Sequence, residues 1–216
     1  MNKEKFLTIN EIFFSLQGES TRLGIPTIFI RLTGCPMRCH YCDTAYAFDD
    51  GKKMSFENII EYIKPYKSNF ITLTGGEPLV QKEAYAFLEV LCDMGYQVSL
   101  ETGGAESIKD VDERVKIILD IKTPGSGELD NYLWQNLDYL KSMDEIKLVI
   151  TSHDDYLWAN QTIKDKKLIG KYEILFSPSY EDMDVKNLAQ WILDDALPVR
   201  LQLQQHKIIW GQKKGV

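Results

Sequence analysis

The stretch TIFIRLTGCPMRCHYCDT, residues 27–44, decides how the rest of the chain is read. Residues 27–32 are an apolar, partly β-branched run that reads as a strand. The run breaks at Thr33–Gly34, and three of the chain's cysteines follow at Cys35, Cys39 and Cys42, spaced Cys-x3-Cys-x2-Cys. A strand that hands its chemistry to the loop beyond its carboxyl end is the arrangement of parallel α/β sheets and barrels.

Working outward, further strand patterns occur at 70–74 (FITLT), 96–101 (YQVSLE), 115–121 (VKIILDI), 145–150 (EIKLVI) and 173–177 (EILFS). A seventh candidate is VRLQLQ, 199–204. Several are continuous Val/Ile/Leu runs, as expected of parallel strands covered on both faces. Helical patterns lie between them. Ser55 caps FENIIEYIK, residues 81–95 carry an amphipathic face ending at Gly95, and 131–142, 153–165 and 183–194 also read as helices. Strand–helix alternation implies right-handed βαβ units. The expected fold is α/β, a partial parallel, TIM-like barrel of about six strands with a reduced set of outer helices, with an open doubly wound sheet as the alternative. A full eight-fold barrel usually takes about 250 residues, more than the 216 here. One domain, 1–216, is expected, with an N-terminal segment 9–26, a cysteine loop 33–48 and a C-terminal tail 199–216.

The net charge of −7 argues against a nucleic-acid or anionic-membrane surface, which needs clustered Lys and Arg. The short basic cluster at Lys164, Lys166 and Lys167 reads as a solvated helix end. No segment approaches the ~20 apolar residues of a membrane span, and the start has no signal-peptide pattern. A cytoplasmic, reducing location is expected, where closely spaced cysteines bind metal or do chemistry more often than they form disulfides.

Three thiolates on one loop can hold three corners of a cubane iron–sulfur cluster and leave the fourth iron open. Zinc is the competing reading, but a structural zinc site wants four ligands, commonly from two separated pairs. His40 lies between Cys39 and Cys42 with no second pair downstream, and Cys92 falls inside an amphipathic helix. The spacing favours the cluster over zinc.

CPMRCHYC, with Tyr41 before the last cysteine, resembles the cluster loop of the radical S-adenosylmethionine (SAM) enzymes. The resemblance implies a [4Fe-4S] cluster whose open iron chelates SAM, and one-electron cleavage of SAM to a 5′-deoxyadenosyl radical. It extends to TLTGGEPL (72–79), LETGG (100–104), LDIKTPGSG (119–127) and FSPS (176–179), each at a strand end. By that resemblance SAM would be held by Tyr41, Asp43, Gly76, Glu77, Glu101, Asp120, Ile121, Lys122, Phe176, Ser177 and Pro178, with Glu77 accepting from its ammonium group.

INEIFFSLQGES (9–20), GIPTIFIRLTGC (24–35) and LQLQQHKIIWG (201–211) are similar to the branch of that family that contracts a reduced pterin on the route to queuosine. The implied reaction turns 6-carboxy-5,6,7,8-tetrahydropterin into 7-carboxy-7-deazaguanine with loss of ammonia, SAM being reused. The resemblance assigns substrate contacts to Leu16, Gln17, Gly18, Glu19, Arg31, Thr74, His206 and Val216. It assigns a Mg²⁺ contact to Thr44, with substrate oxygens completing the shell. It further implies a lyase acting as a homodimer, reduced by a flavodoxin-type protein. A glycyl-radical activating enzyme and a non-catalytic iron–sulfur or zinc module remain the alternatives from the sequence.

Overall fold

Alternation along each strand makes one face of a single nine-stranded sheet apolar and leaves the other largely polar. The computed structural model describes residues 4–180 and 182–216. The chain begins with β1 (Phe6–Leu16), β2 (Pro26–Leu32), β3 (Lys52–Ser55) and α1 (Phe56–Ile63). There follow β4 (Phe70–Gly75), α2 (Glu83–Asp93), β5 (Gln97–Thr102), β6 (Lys116–Ile121), β7 (Glu145–Ile150) and α3 (His153–Asp165). It ends with β8 (Glu173–Pro178), α4 (Val185–Asp194), β9 (Arg200–Leu201) and α5 (Gln205–Trp210). The strand order is β3-β1-β2-β4-β5-β6-β7-β8-β9. From β2 to β9 all neighbours are parallel, whereas β1 runs antiparallel to both β2 and β3. β3 and β9 stand at opposite edges and do not pair, so this is the expected partial barrel, left open.

The core lies between the outer face and the helices. Ile28, Ile30 and Leu32 of β2, Ile71 and Leu73 of β4, Ile117 and Leu119 of β6 and Ile146 and Leu148 of β7 are all buried there. Each fully buried side chain of this size contributes roughly 1.5–3 kcal/mol. The alternate residues face inward and differ in kind: Arg31, Thr72, Thr74, Ser99, Glu101, Asp120, Glu145 and Lys147. The strands are therefore not apolar on both faces. Their inner face is mixed, mostly polar with Phe29, Ile118 and Val149 among the residues lining the cavity.

Three of the helices, α1, α3 and α4, start at side-chain caps. Ser55 Oγ accepts from Asn58 N–H at 3.3 Å, Ser152 caps α3 through Asp155 N–H and Asp184 caps α4 through Lys186 N–H. Three expectations need correction. The antiparallel strands β1 and β3 were not foreseen. Residues 131–142 form two short 3-10 turns, Leu129–Asn131 and Trp134–Tyr139, rather than a helix. That segment is organised by the buried Asn136 amide, which accepts from Ile108 N–H and donates to the Gly104 and Glu106 carbonyls. The strand expected over 199–204 is limited to Arg200–Leu201, and residues 205–210 are helical. Successive strand side chains point to opposite faces; the helical turn lets both His206 and Lys207 line the same cavity.

Candidate active site

A cavity of about 620 Å³ opens at the carboxyl ends of the parallel strands and runs along their polar inner face. Cys35, Cys39 and Cys42 line one side of it, all three free and partly exposed. Their loop follows β2 and is pinned through its backbone. Gly34 N–H donates to Ala47 O (2.9 Å), Arg38 N–H to the Glu128 carboxylate (2.7 Å) and His40 N–H to Ser126 O (3.1 Å). Arg38 turns back on the Cys35 and Met37 carbonyls, at 2.7 Å each, and lies over the Phe48 ring. Opposite, Gly76 presses against the loop: a Cβ there would sit 2.5 Å from Gly34 O and 2.6 Å from Cys35 Cβ.

Glu77 is buried and brackets the ends of β4 and β5. Its carboxylate accepts from Leu79 N–H (3.1 Å), Thr102 Oγ1 (2.8 and 2.9 Å) and Gly103 N–H (2.9 Å). Both oxygens are thus already engaged by protein donors. Burial raises its pKa, and those donors pull against the rise.

A chain of alternating charges crosses the cavity. Lys122 Nζ lies 3.2 Å from Asp120, Lys147 lies 4.0 Å from Asp120 and 2.5 Å from Glu19, and Gln204 donates to Glu19 at 2.9 Å. Burial alone would lower Lys122 and Lys147, but the facing carboxylates, Asp120 for the first and Glu19 and Asp120 for the second, outweigh it and hold both charged. For Glu19, burial is outweighed by Lys147, and its pKa falls. Asp43 pairs with Lys207 at 2.7 Å; burial opposes ionisation, but Lys207 together with Thr44 and Lys147 outweighs it and lowers the carboxylate's pKa.

On the side away from the cysteines, Gln17 Nε2 donates to Glu101 (3.2 Å) and to Thr72 (3.3 Å), and Thr74 Oγ1 donates to Glu101 (3.1 Å). Burial, helped by Glu19, raises the Glu101 pKa. Arg31 Nε donates to Glu11 at 2.8 Å, and Tyr46 OH donates to the same carboxylate. Among the described residues, neither terminal nitrogen of Arg31 has an acceptor. His206 lies against Gly18, where a Cβ would come within 2.2 Å of its Nδ1, and burial lowers its pKa. The last residue, Val216, also lines the cavity.

The residues singled out in the sequence therefore share one cavity, except Ile121 and Phe176, whose side chains lie in the core on the outer face. Lys147, Gln204, Lys207, Glu11 and Tyr46 line or brace the cavity too and were not singled out.

The residues present fit a cluster and SAM. Three partly exposed thiols open into a polar cavity, a glycine leaves the loop its room, and buried Asp120 Oδ1 and Tyr41 OH have no protein partner. Binding as thiolates requires proton loss, since burial pushes Cys39 up to about 11. Among the described residues no three His, Cys, Asp or Glu side chains converge as for a single metal ion. Thr44 offers magnesium one hydroxyl, already donated to Asp43 at 2.9 Å.

The chain belongs to the radical SAM superfamily, whose family model matches residues 29–192. Its relatives within that class are more particular. The 7-carboxy-7-deazaguanine synthase of Chlorobaculum tepidum is 42% identical over 98% of this chain and 97% of its own length. That of Thermoplasma acidophilum is 36% identical over 97% of this chain and 100% of its own. The crystal structure of QueE from Escherichia coli superposes with a TM-score of 0.77 over 93% of this chain and 95% of that one, at 22% identity, and supports the fold. No helix among the described residues is long and apolar enough to cross a membrane.

Proposed function

We propose that the chain converts 6-carboxy-5,6,7,8-tetrahydropterin to 7-carboxy-7-deazaguanine with release of ammonia, as the near full-length match to proteins of that product's name indicates. One observation carries this reading: a single cavity joins a three-cysteine loop to a polar cradle built on Gln17, Glu19, Glu101 and Arg31. Cys35, Cys39 and Cys42 would hold the cluster, and the cluster and SAM, when bound, would supply a 5′-deoxyadenosyl radical. Asp120, Lys122, Tyr41 and the strand ends at Gly76 and Ser177 border SAM. Gln17 and Glu101 offer a donor and acceptors to the pyrimidine edge of the pterin. The free terminal nitrogens of Arg31 suit its carboxylate. His206, kept neutral by burial, can both donate and accept. The Val216 tail closes the mouth.

Magnesium would be held by Thr44 together with substrate oxygens and water, since this hard cation keeps several waters. The protein works as a homodimer; α5 exposes Ile208 (68%) and Ile209 (48%), next to the His206–Lys207 pair that lines the cavity. A flavodoxin-type protein supplies the electron, in the reducing cytoplasm that four free cysteines suit. The test is anaerobic incubation of the reconstituted protein with SAM, reductant, Mg²⁺ and the carboxylated pterin, followed by mass analysis. The deazaguanine should form catalytically, and less of it without Mg²⁺. Zinc as the bound metal, or no turnover with a chemical reductant unless a protein substrate is added, would overturn the reading.

A further inference from the structure

The turn between β1 and β2, residues 17–25, lies across the inner face of the sheet. Its contacts step from strand to strand: Gln17 meets β4 and β5, Glu19 meets Lys147 of β7, and Thr21 meets Glu145 two residues below Lys147. Glu145 is fully buried, yet no step of the proposed reaction uses it. Its carboxylate accepts from Thr21 N–H at 3.1 and 3.2 Å and from the Thr21 hydroxyl, and pairs with Lys116 Nζ at 2.6 Å. Lys116 in turn donates to Thr21 Oγ1 at 2.7 Å, so the hydroxyl is held from both sides. The residue before it, Ser20, is buried with φ +64, a left-handed conformation that a non-glycine keeps only when its surroundings impose it.

We infer that Glu145, with Lys116 and Thr21, is a positioning device that sets the register of the 17–25 turn on β7 and so fixes where Gln17 and Glu19 meet the substrate. The alternate inward residues of β7 act as two rungs about 6–7 Å apart: Glu145 anchors the turn at Thr21, and Lys147 receives Glu19. Releasing the lower rung frees the turn to shift along the strand, and the upper contacts lose alignment without either of their residues being changed. The substrate part of this inference rests on the proposed pterin reaction; the anchoring part does not.

The variants are Thr21→Val, which keeps shape and loses the hydroxyl, Thr21→Ser as the conservative rescue, and Glu145→Gln. Amide hydrogen exchange of residues 17–25 in the purified protein reads the anchoring directly. Binding of the carboxylated pterin and of SAM to the reconstituted protein is measured in parallel. Thr21→Val should exchange about tenfold faster in the turn and bind the pterin about tenfold more weakly. SAM affinity and iron content should be unchanged, and Thr21→Ser should lie near wild type. Glu145→Gln should behave as Thr21→Val if it folds; Thr21→Val carries the test if it does not. Wild-type exchange in Thr21→Val, or an equal loss of SAM and pterin binding, would overturn the inference. A wild-type protein that makes no deazaguanine would instead refute the proposed reaction, leaving the exchange result to decide the anchoring.

Discussion

Gly76 faces the cysteine loop so closely that no side chain fits, its would-be Cβ meeting backbone of Gly34 and Cβ of Cys35. Neither neighbour can move without moving Cys35, the proposed cluster ligand, and overpacking of this kind costs roughly 1–3 kcal/mol. Gly76→Ala should keep its helical circular dichroism and lose most of its iron after reconstitution; wild-type iron content would refute this. Glu101 gives a pH prediction. Burial raises its pKa, so the folded protein binds that proton more tightly than the unfolded chain. Its contribution is then present below the unfolded value and lost as pH rises through the folded one. Glu101→Gln should therefore melt higher than wild type near pH 7.5 and lose that advantage near pH 4, while pterin turnover falls. An advantage independent of pH would contradict it. The cysteines, Gly76 and Gln17 were legible because each stands in a short motif at a strand end. Lys147 was not, because EIKLVI read as a strand buried on both faces; the alternation of Glu145 and Lys147 with Ile146 and Leu148 was the missed signal.

At the level of elements, α3 does more than cover the sheet. Asp155 in its first turn is buried and accepts from Thr123 Oγ1 (3.0 Å), Gly125 N–H (2.8 Å), Thr151 N–H (3.2 Å) and Thr151 Oγ1 (2.7 Å). It thereby holds the turn whose Ser126 carbonyl receives His40 N–H. Asp155→Ala leaves those donors unpaired and should cost about 3 kcal/mol in urea unfolding; a loss under about 1 kcal/mol would mean water replaces the carboxylate. The helix after Ser55 was readable because a cap is a local signal. β1 was not, since its register shifts between Ile9 and Glu11 and breaks the period of two. Residues 131–142 take their shape from the distant contacts of Asn136, which no local pattern reports.

For the molecule as a whole, the exposed Ile208 and Ile209 give the homodimer a test. Light scattering should find two chains per particle, and Ile208→Glu should give one; a monomeric wild type would remove the proposal. The strand–helix alternation indicated a parallel α/β sheet, and the length of 216 residues favoured an incomplete barrel over a full one. The polar bore was not anticipated, because it is specified by residues that meet only after the sheet has formed. β2, seven residues long, joins the turn that carries Gln17 and Glu19 to the loop that carries Cys35. It spans roughly 20–25 Å between the cysteine loop and the turn proposed to meet the substrate. One residue gained or lost within this strand would flip its later side chains to the other face and shift the cysteine loop against the proposed substrate turn.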